Sequence, residues 1–467
     1  MSQAQISLGA FKRSLLPEAV LLNAYAEPAP TQQAKPVAIR ARSGHDSFAT
    51  IGASPLRGML AKSGLFSDAA LVVMGTGVYT LDASGVSTLI PGTLAGLTLV
   101  DIDAGQDADL NSEGWVATGS ALYRVTTTAV TLEGFPADNG AGASSVCCFR
   151  GYVIASEAGT DQVFVRVPGD DTWQALSFIS AEYAPDRIIA VRRLGEQVWL
   201  LGQSSAEAWA LSDTATPPLA PYGGLVFDFG CRSRNSAVSM PGALIWVDDA
   251  CQVRMTLGGE PQVISDAGLA EQIRGVAAAD LRASWYQTDG HAFYVLTLQG
   301  ASTWAYDLTT RQWARRSTVG QVFSRISLFA SLGETVLAGN SVANEIYRMN
   351  EATRDDAGDA FPVEFTAFAE LSEGRVSCAN IELICEVGNA PWNGAGSAPK
   401  IAMRYSDDEG KSWSGWRERS LGLAGQSRKR VRWNGLGMIT SPHGRIFHFR
   451  ATAPAARRFS DLRMNVS

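Results

Sequence analysis

Long apolar runs are missing from this 467-residue sequence. None approaches the roughly 20 residues that a membrane-crossing helix needs, and Met1–Pro17 has no apolar signal-peptide core. No membrane-spanning segment is expected, nor export through a cleaved leader. Metal-ligand spacing is missing too. The six cysteines stand as the adjacent pair Cys147 and Cys148, then Cys231, Cys251, Cys378 and Cys385; none forms a C-x-x-C pair, and the four histidines are not at ligand spacing with them. Buried free thiols are the expectation. The sequence also lacks G-x-x-x-x-G-K-[ST], G-x-S-x-G, H-E-x-x-H and the D-x-D-x-D-G calcium loop. No catalytic residue, cofactor or metal is assigned, and a non-enzyme is expected.

Helical patterning is scarce. The clearest stretch is Asp266–Gly275, with an Asp cap, apolar residues three to four apart and a closing glycine. Glycine, by contrast, is abundant at 46 residues, and 46% of residues are hydrophobic, which suits an all-β chain with many tight turns and a large core. A repeat organises it. Apolar hairpin-like segments begin at Ala70, Gly114, Tyr152, Val198, Leu244, Phe293 and Thr335, each a short run, a small or polar turn, and a second alternating run. Their spacing is about 44 residues, the length of four short antiparallel strands, and therefore of one propeller blade. The fold expected is a β-propeller of six to seven blades with an attached C-terminal β-sandwich-like module. The recurring aromatics Tyr79, Tyr123, Phe164, Trp209, Trp304 and Tyr347 are expected in the core, between blades.

The domain reading is an extended lead-in over 1–60, the propeller over 61–350, and a β-rich platform module over 351–467, with the polar, acidic tract after Tyr347 as the boundary. Charge follows this division. The whole chain carries −7, yet residues 375–467 hold 15 Lys/Arg against 7 Asp/Glu, a balance of +8 that leaves −15 on the rest. An acidic body with a basic tail module suggests two surfaces with different partners, or simply two differently solvated faces.

Two motifs lie in the basic part. Ser406, Asp408, Gly410 and Trp413 fit the Asp-box pattern S-x-D-x-G-x-x-W, in which the carboxylate accepts N–H bonds across a hairpin turn, glycine supplies positive φ and Trp packs beneath. Asp boxes also occur in sugar-handling propellers, so a glycan-binding or sialidase-like protein is the alternative reading. It would need an arginine cluster, a tyrosine and carboxylates at the propeller mouth. The second motif is the basic run around Arg428, Arg430 and Arg432. On a strand these three share one face, which could meet phosphates or an acidic partner subunit, or merely be solvated.

Several segments together carry a resemblance: Leu21–Pro28 (LLNAYAEP), Arg57-Gly58-Met59, Val198–Gly202 (VWLLG), Asp289–Thr297 (DGHAFYVLT), Thr303–Trp313 (TWAYDLTTRQW), Ser406–Trp413 (SDDEGKSW) and Arg430–Gly437 (RVRWNGLG). In that order, over nearly the whole chain, the sequence resembles the packaged-DNA stabilisation proteins of short-tailed bacteriophages, also described as tail accessory, hub or nozzle proteins. The resemblance implies a structural virion protein of the tail, made in the host cytoplasm. It implies a ring, usually a homo-hexamer, below the portal and its adaptor or head-completion protein. Such a ring continues the channel for double-stranded DNA, without sequence specificity, and retains the genome until ejection. A tail needle, fibre or tailspike is a further possible partner.

Overall fold

The computed structural model describes residues 5–6, 11–13, 16–28, 37–53, 55–137, 140–181, 183–184, 186–370, 374–394, 396–440, 444–455 and 457–466. Among the described residues, seven four-stranded antiparallel blades follow one another around an axis, five as separate sheets, the sixth as part of a ten-stranded sheet and the seventh as part of a six-stranded one. Their first strands are Leu56–Leu60, Asp101–Gln106, Ala143–Phe149, Ile188–Leu194, Val238–Met240, Leu281–Thr288 and Ile326–Leu332, and each packs against the next, the seventh against the first. The blade number is therefore seven. Each hairpin legible in the sequence is the second and third strand of one blade, as in Gln197–Gly202 paired with Ala206–Leu211.

These second strands are near-continuous apolar runs for a physical reason. A blade is covered on both faces by its neighbours, so a middle strand has no solvated side to alternate with. Ala70–Met74, Gln197–Gly202 and Ala243–Val247 are buried at every position. Indole N–H groups in this dry layer find polar partners two residues back on the same face. Trp115 donates to Glu113 Oε2 at 3.1 Å, Trp199 to Gln197 Oε1 at 2.9 Å, and Trp209 to Glu207 Oε2 at 3.1 Å. Of the recurring aromatics, Tyr123, Phe164, Trp209, Trp304 and Tyr347 are buried and Tyr79 is half-buried. The helix expected after Asp266 spans Ala267–Arg274, with the Asp266 carboxylate accepting from Leu269 N at 2.8 Å and Gly275 closing it.

The lead-in supplies strands to both bodies. Its strands Leu21–Leu22, Ala24–Pro28 and Val37–Ala41 enter the sandwich, whereas Gly44–Thr50 becomes the outer strand of blade 7, pairing Glu345–Asn350, and Leu56–Leu60 opens blade 1. The sandwich consequently draws on both ends of the chain. One sheet orders Leu21–Leu22, Val363–Ala369, Arg445–Ala451, Lys400–Ser406 and Arg417–Ser420. The other orders Val431–Asn434, Arg375–Cys385, Arg458–Val466, Val37–Ala41 and Ala24–Pro28. Phe365, Phe449, Phe459 and Trp433 fill the space between, with Phe365 stacked on Phe449 at 4.9 Å. Propeller and sandwich are also hydrogen-bonded to one another, because Leu21–Leu22 lies between Val363–Ala369 and the outer strand of blade 6, Gln312–Arg316. Pairing partners cross 350/351 in both directions.

Candidate interaction surfaces

The Asp box closes its turn by hydrogen bonds. Asp408 Oδ1 accepts from Ser412 N at 2.8 Å and from Ser406 Oγ at 2.7 Å, Oδ2 accepts from Ser412 Oγ at 2.6 Å, and Gly410, at φ 89°, donates its N–H to Ser406 Oγ at 2.8 Å. These bonds, from Ser412 first, hold the Asp408 carboxyl down at about 2. Trp413 does not pack beneath the turn as expected but lies half-buried on the outer sandwich face. There the Arg404 guanidinium sits between Trp413 and Trp416, at 4.5 and 4.6 Å from their ring centres, and Arg450 covers Trp416 at 4.7 Å. Their contact with cationic side chains, not core packing, accounts for both tryptophans.

The basic run is not one strand face. Only Val431–Asn434 is strand; Arg428 and Arg430 are exposed on the turn-rich segment before it, and Arg432 is half-buried and paired with Glu382 at 2.8 Å. The chain reaches this strand through turns that begin at Gly422 and Gly425, both at positive φ. The structure brings in two cations the linear run omits. Arg419 Nε donates to the Arg432 carbonyl at 2.8 Å, and Arg417 reaches the carbonyl of Asn434. At the seam where the edges of the two sandwich sheets meet stand Arg417, Arg419, Arg428, Lys429, Arg430 and Arg432, with Glu382 paired to Arg430 and Arg432 and Glu418 paired to Lys400. This is a basic patch built by tertiary structure.

The opposite sign gathers on the propeller. Strands alternate in direction, so the turns joining first to second and third to fourth strands lie at one end of every blade. Those turns carry eleven carboxylates, among them Asp82, Asp107, Asp109, Asp170, Asp171 and Glu260, against Lys62, Arg150 and Arg311. Leu110, Leu176 and Leu257 project from the same end, 73%, 88% and 69% exposed. Exposed leucines among carboxylates make a surface suited to contact.

Between the two bodies lies a buried ionic knot. Arg42 donates to both oxygens of Asp356, at 2.9 and 2.6 Å, and His45 Nδ1 meets Asp356 Oδ1 at 2.7 Å. Asn23 uses all its side-chain capacity there: Nδ2 donates to the carbonyls of Ser317 and Pro362, while Oδ1 accepts from Arg42 Nε and Ser317 N. Burial alone would raise the Asp356 carboxyl, but Arg42 and the hydrogen bonds outweigh it and hold the group well below the usual range. Burial pushes the Arg457 guanidinium down to about 9 beside this knot, where it donates to the carbonyls of Phe361 and Arg354. Sequence reasoning missed Asp356 because it stands in a tract that reads as a linker.

An axial cavity of about 620 Å³ is lined by the first strands of all seven blades and the segments next to them. Its carboxylates are engaged: Asp101 with Arg192 at 2.8 Å, and Asp103 with Lys62. Among the described residues no tyrosine lines it. The constellation that the glycan-handling alternative needs at the propeller mouth is not assembled there.

Comparison with known proteins completes the picture. No curated protein matches the sequence. Among solved structures, virginiamycin B lyase from Staphylococcus aureus shares 11% identity, over 66% of this chain and 95% of its own, at a TM-score of 0.42. A chain of the mitotic checkpoint complex shares 10%, over 69% and 95%, at 0.44. Likeness at that level says nothing of activity. Family models are decisive instead: one described as bacteriophage P22 Gp10, beta-propeller, matches residues 14–353, and one described as bacteriophage P22 Gp10, beta-sandwich, matches 363–467. Propeller and sandwich, in this order and over almost the full length, place the chain in the bacteriophage P22 Gp10 family of phage tail structural proteins.

Proposed function

We propose that this protein is a structural component of a short phage tail. Several copies, six by family resemblance, form a hub or nozzle ring below the portal and adaptor. The ring continues the DNA channel and retains the packaged genome until ejection. The observation that carries the ring is the separation of charge just described. An acidic, leucine-studded propeller end and a basic sandwich seam on one chain favour head-to-tail contact between identical copies, and such heterologous contacts close into a ring when the rotation allows. The size of the axial cavity supports a channel formed between copies. A DNA major groove alone is about 12 Å wide and 8.5 Å deep, so a duplex does not thread a 620 Å³ space inside one propeller. The adaptor above, and a needle, fibre or tailspike below, are the partners this place in the virion implies.

The experiment is native mass spectrometry of the purified protein over a salt series, beside particles made without it. Rings that weaken as salt rises, and weaken further in Arg428→Gln/Arg430→Gln at unchanged thermal stability, support the contact. Heads that fill and then lose DNA when the protein is absent support the retention role. A monomer at every salt concentration counts against the ring, and full, infectious particles lacking the protein eliminate the function.

A further inference from the structure

The axial cavity carries a charge imbalance that the tail role does not use. Six cationic side chains line it, Arg57, Lys62, Arg192, Arg193, Arg234 and Arg282, against the two carboxylates Asp101 and Asp103. Most of these cations are satisfied. Arg57 donates to the carbonyls of Thr98, Gly75 and Ala95; Arg234 donates to Leu99 O and Ser144 O; Arg192 and Lys62 hold the two carboxylates. Carbonyl partners orient a guanidinium without neutralising it, so the excess positive charge stays inside a space walled by Met59, Val146, Met240 and Phe329.

Arg282 is different. It stands on the first strand of blade 6, with Ser284 two residues on along the same face, and its Nε and Nη1 are shielded from water with no hydrogen-bond partner among the described residues. Ser239 Oγ, on the first strand of blade 5, is shielded and unpartnered in the same way, and both residues line the one cavity. Native proteins rarely leave several buried polar atoms unsatisfied in one place, and an orphaned guanidinium is among the least favourable to leave so. Burial lowers the Arg282, Arg234 and Arg57 guanidinium groups alike; Asp280 opposes it at Arg282, whereas a neighbouring arginine adds to it at Arg234 and Arg57.

We propose that the propeller axis is a binding site for a small phosphate-class oxyanion, held by the guanidinium of Arg282, with Ser239 lining the same cavity from the next blade, and attracted by the surrounding cationic excess. The volume is that of small-molecule sites, which span about 300–1,000 Å³. Nε and Nη1 lie on different edges of the guanidinium, and each makes a pair of parallel N–H donors together with Nη2; such a fork suits a tetrahedral oxyanion with several equivalent acceptors. The proposal concerns the inside of a single propeller and does not rest on the ring.

The probe is inorganic pyrophosphate, titrated calorimetrically into the full-length protein at constant ionic strength, with thermal unfolding followed in parallel. Saturable binding that raises the unfolding temperature is expected. Arg282→Gln should weaken it about tenfold or more, the scale of losing a charge-assisted paired contact. Arg430→Gln, on the distant sandwich seam, should leave it unchanged. Should Arg282→Gln not fold, Arg282→Lys serves instead; it keeps the charge but loses the fork, and it too must bind more weakly. Absence of saturable binding, equal affinity in the Arg282 variants, or an identical thermal gain from sodium chloride at matched ionic strength would overturn the proposal.

Discussion

Replacing Asp356 by Asn tests whether the propeller and sandwich are held as one body by the buried knot. Asp356 is 1% exposed and Arg42 6% exposed, so the pair cannot shed its charge into water. The amide keeps the shape of the carboxylate but offers Arg42 one neutral acceptor where two charged oxygens stood, and it strands the guanidinium against Phe361, 3.9 Å away. Removing one partner of a buried pair typically costs about 3–5 kcal/mol, because the remaining charge stays buried. With a urea slope near 3 kcal/mol per M, reasonable for a large chain, the midpoint should fall by about 1–1.7 M. The assay is urea unfolding followed by tryptophan fluorescence and far-UV circular dichroism on the same samples. A second variant, Arg42→Met with Asp356→Leu, removes both charges and should recover much of the loss. A midpoint for Asp356→Asn within about 0.2 M of the parent would refute the reasoning, since it would mean that the knot contributes no net stability.

Two further outcomes follow from neighbouring features. Burial lowers the affinity of folded His45 for a proton, with Asp356 offsetting only part of this, so the unfolded chain binds the proton more readily. Stability from this group is complete above about pH 6.5 and declines as pH falls from there, and Asp356 adds a further loss below about pH 4. Urea midpoints measured from pH 7.5 to 5 should therefore drop in the parent and drop less in His45→Asn. Trp413→Ala should cost only about 1–2 kcal/mol, not the 3–5 kcal/mol of emptying a buried tryptophan site, because the ring is half exposed and contributes mainly partial burial and contact with Arg404. Thermal unfolding reads the difference, and a loss near 4 kcal/mol would mean that the ring is core.

What the sequence made legible was the middle of each blade. Second and third strands are buried on both sides or paired through a tight turn, so their composition announces them, and all seven hairpins stand out. The first strands do not, because they line the axis and tolerate polar residues there, as in Asp101–Gln106 (DIDAGQ) or the pair Arg192 and Arg193. Long-range pairing left still less trace. Nothing local to Gly44–Thr50 marks it as the last strand of blade 7, and nothing near Asp356 marks it as the partner of Arg42. The basic patch was half visible: Arg428, Arg430 and Arg432 form a run, whereas Arg417 and Arg419 join them only because two sheet edges converge.

The closing strand has a consequence for how the chain is made. Asp46 and Asn350, bonded at the seam of blade 7, are 304 residues apart. Ribosomes add about 5–20 residues per second, so Gly44–Thr50 emerges roughly 15–60 s before the strand it must pair with. Throughout that time its backbone N–H and C=O groups are an unprotected edge, able to pair with other nascent chains. The sandwich waits longer still, because Val37–Ala41 needs Arg458–Val466. Neither body can be finished early and set aside. Expressing the two halves separately, cut at the apparent boundary near residue 350, would leave the sandwich fragment without the strands Leu21–Leu22, Ala24–Pro28 and Val37–Ala41 and the propeller fragment with unpaired ones. Obtaining this protein in soluble form is accordingly a question of protecting an early edge until the last residues arrive.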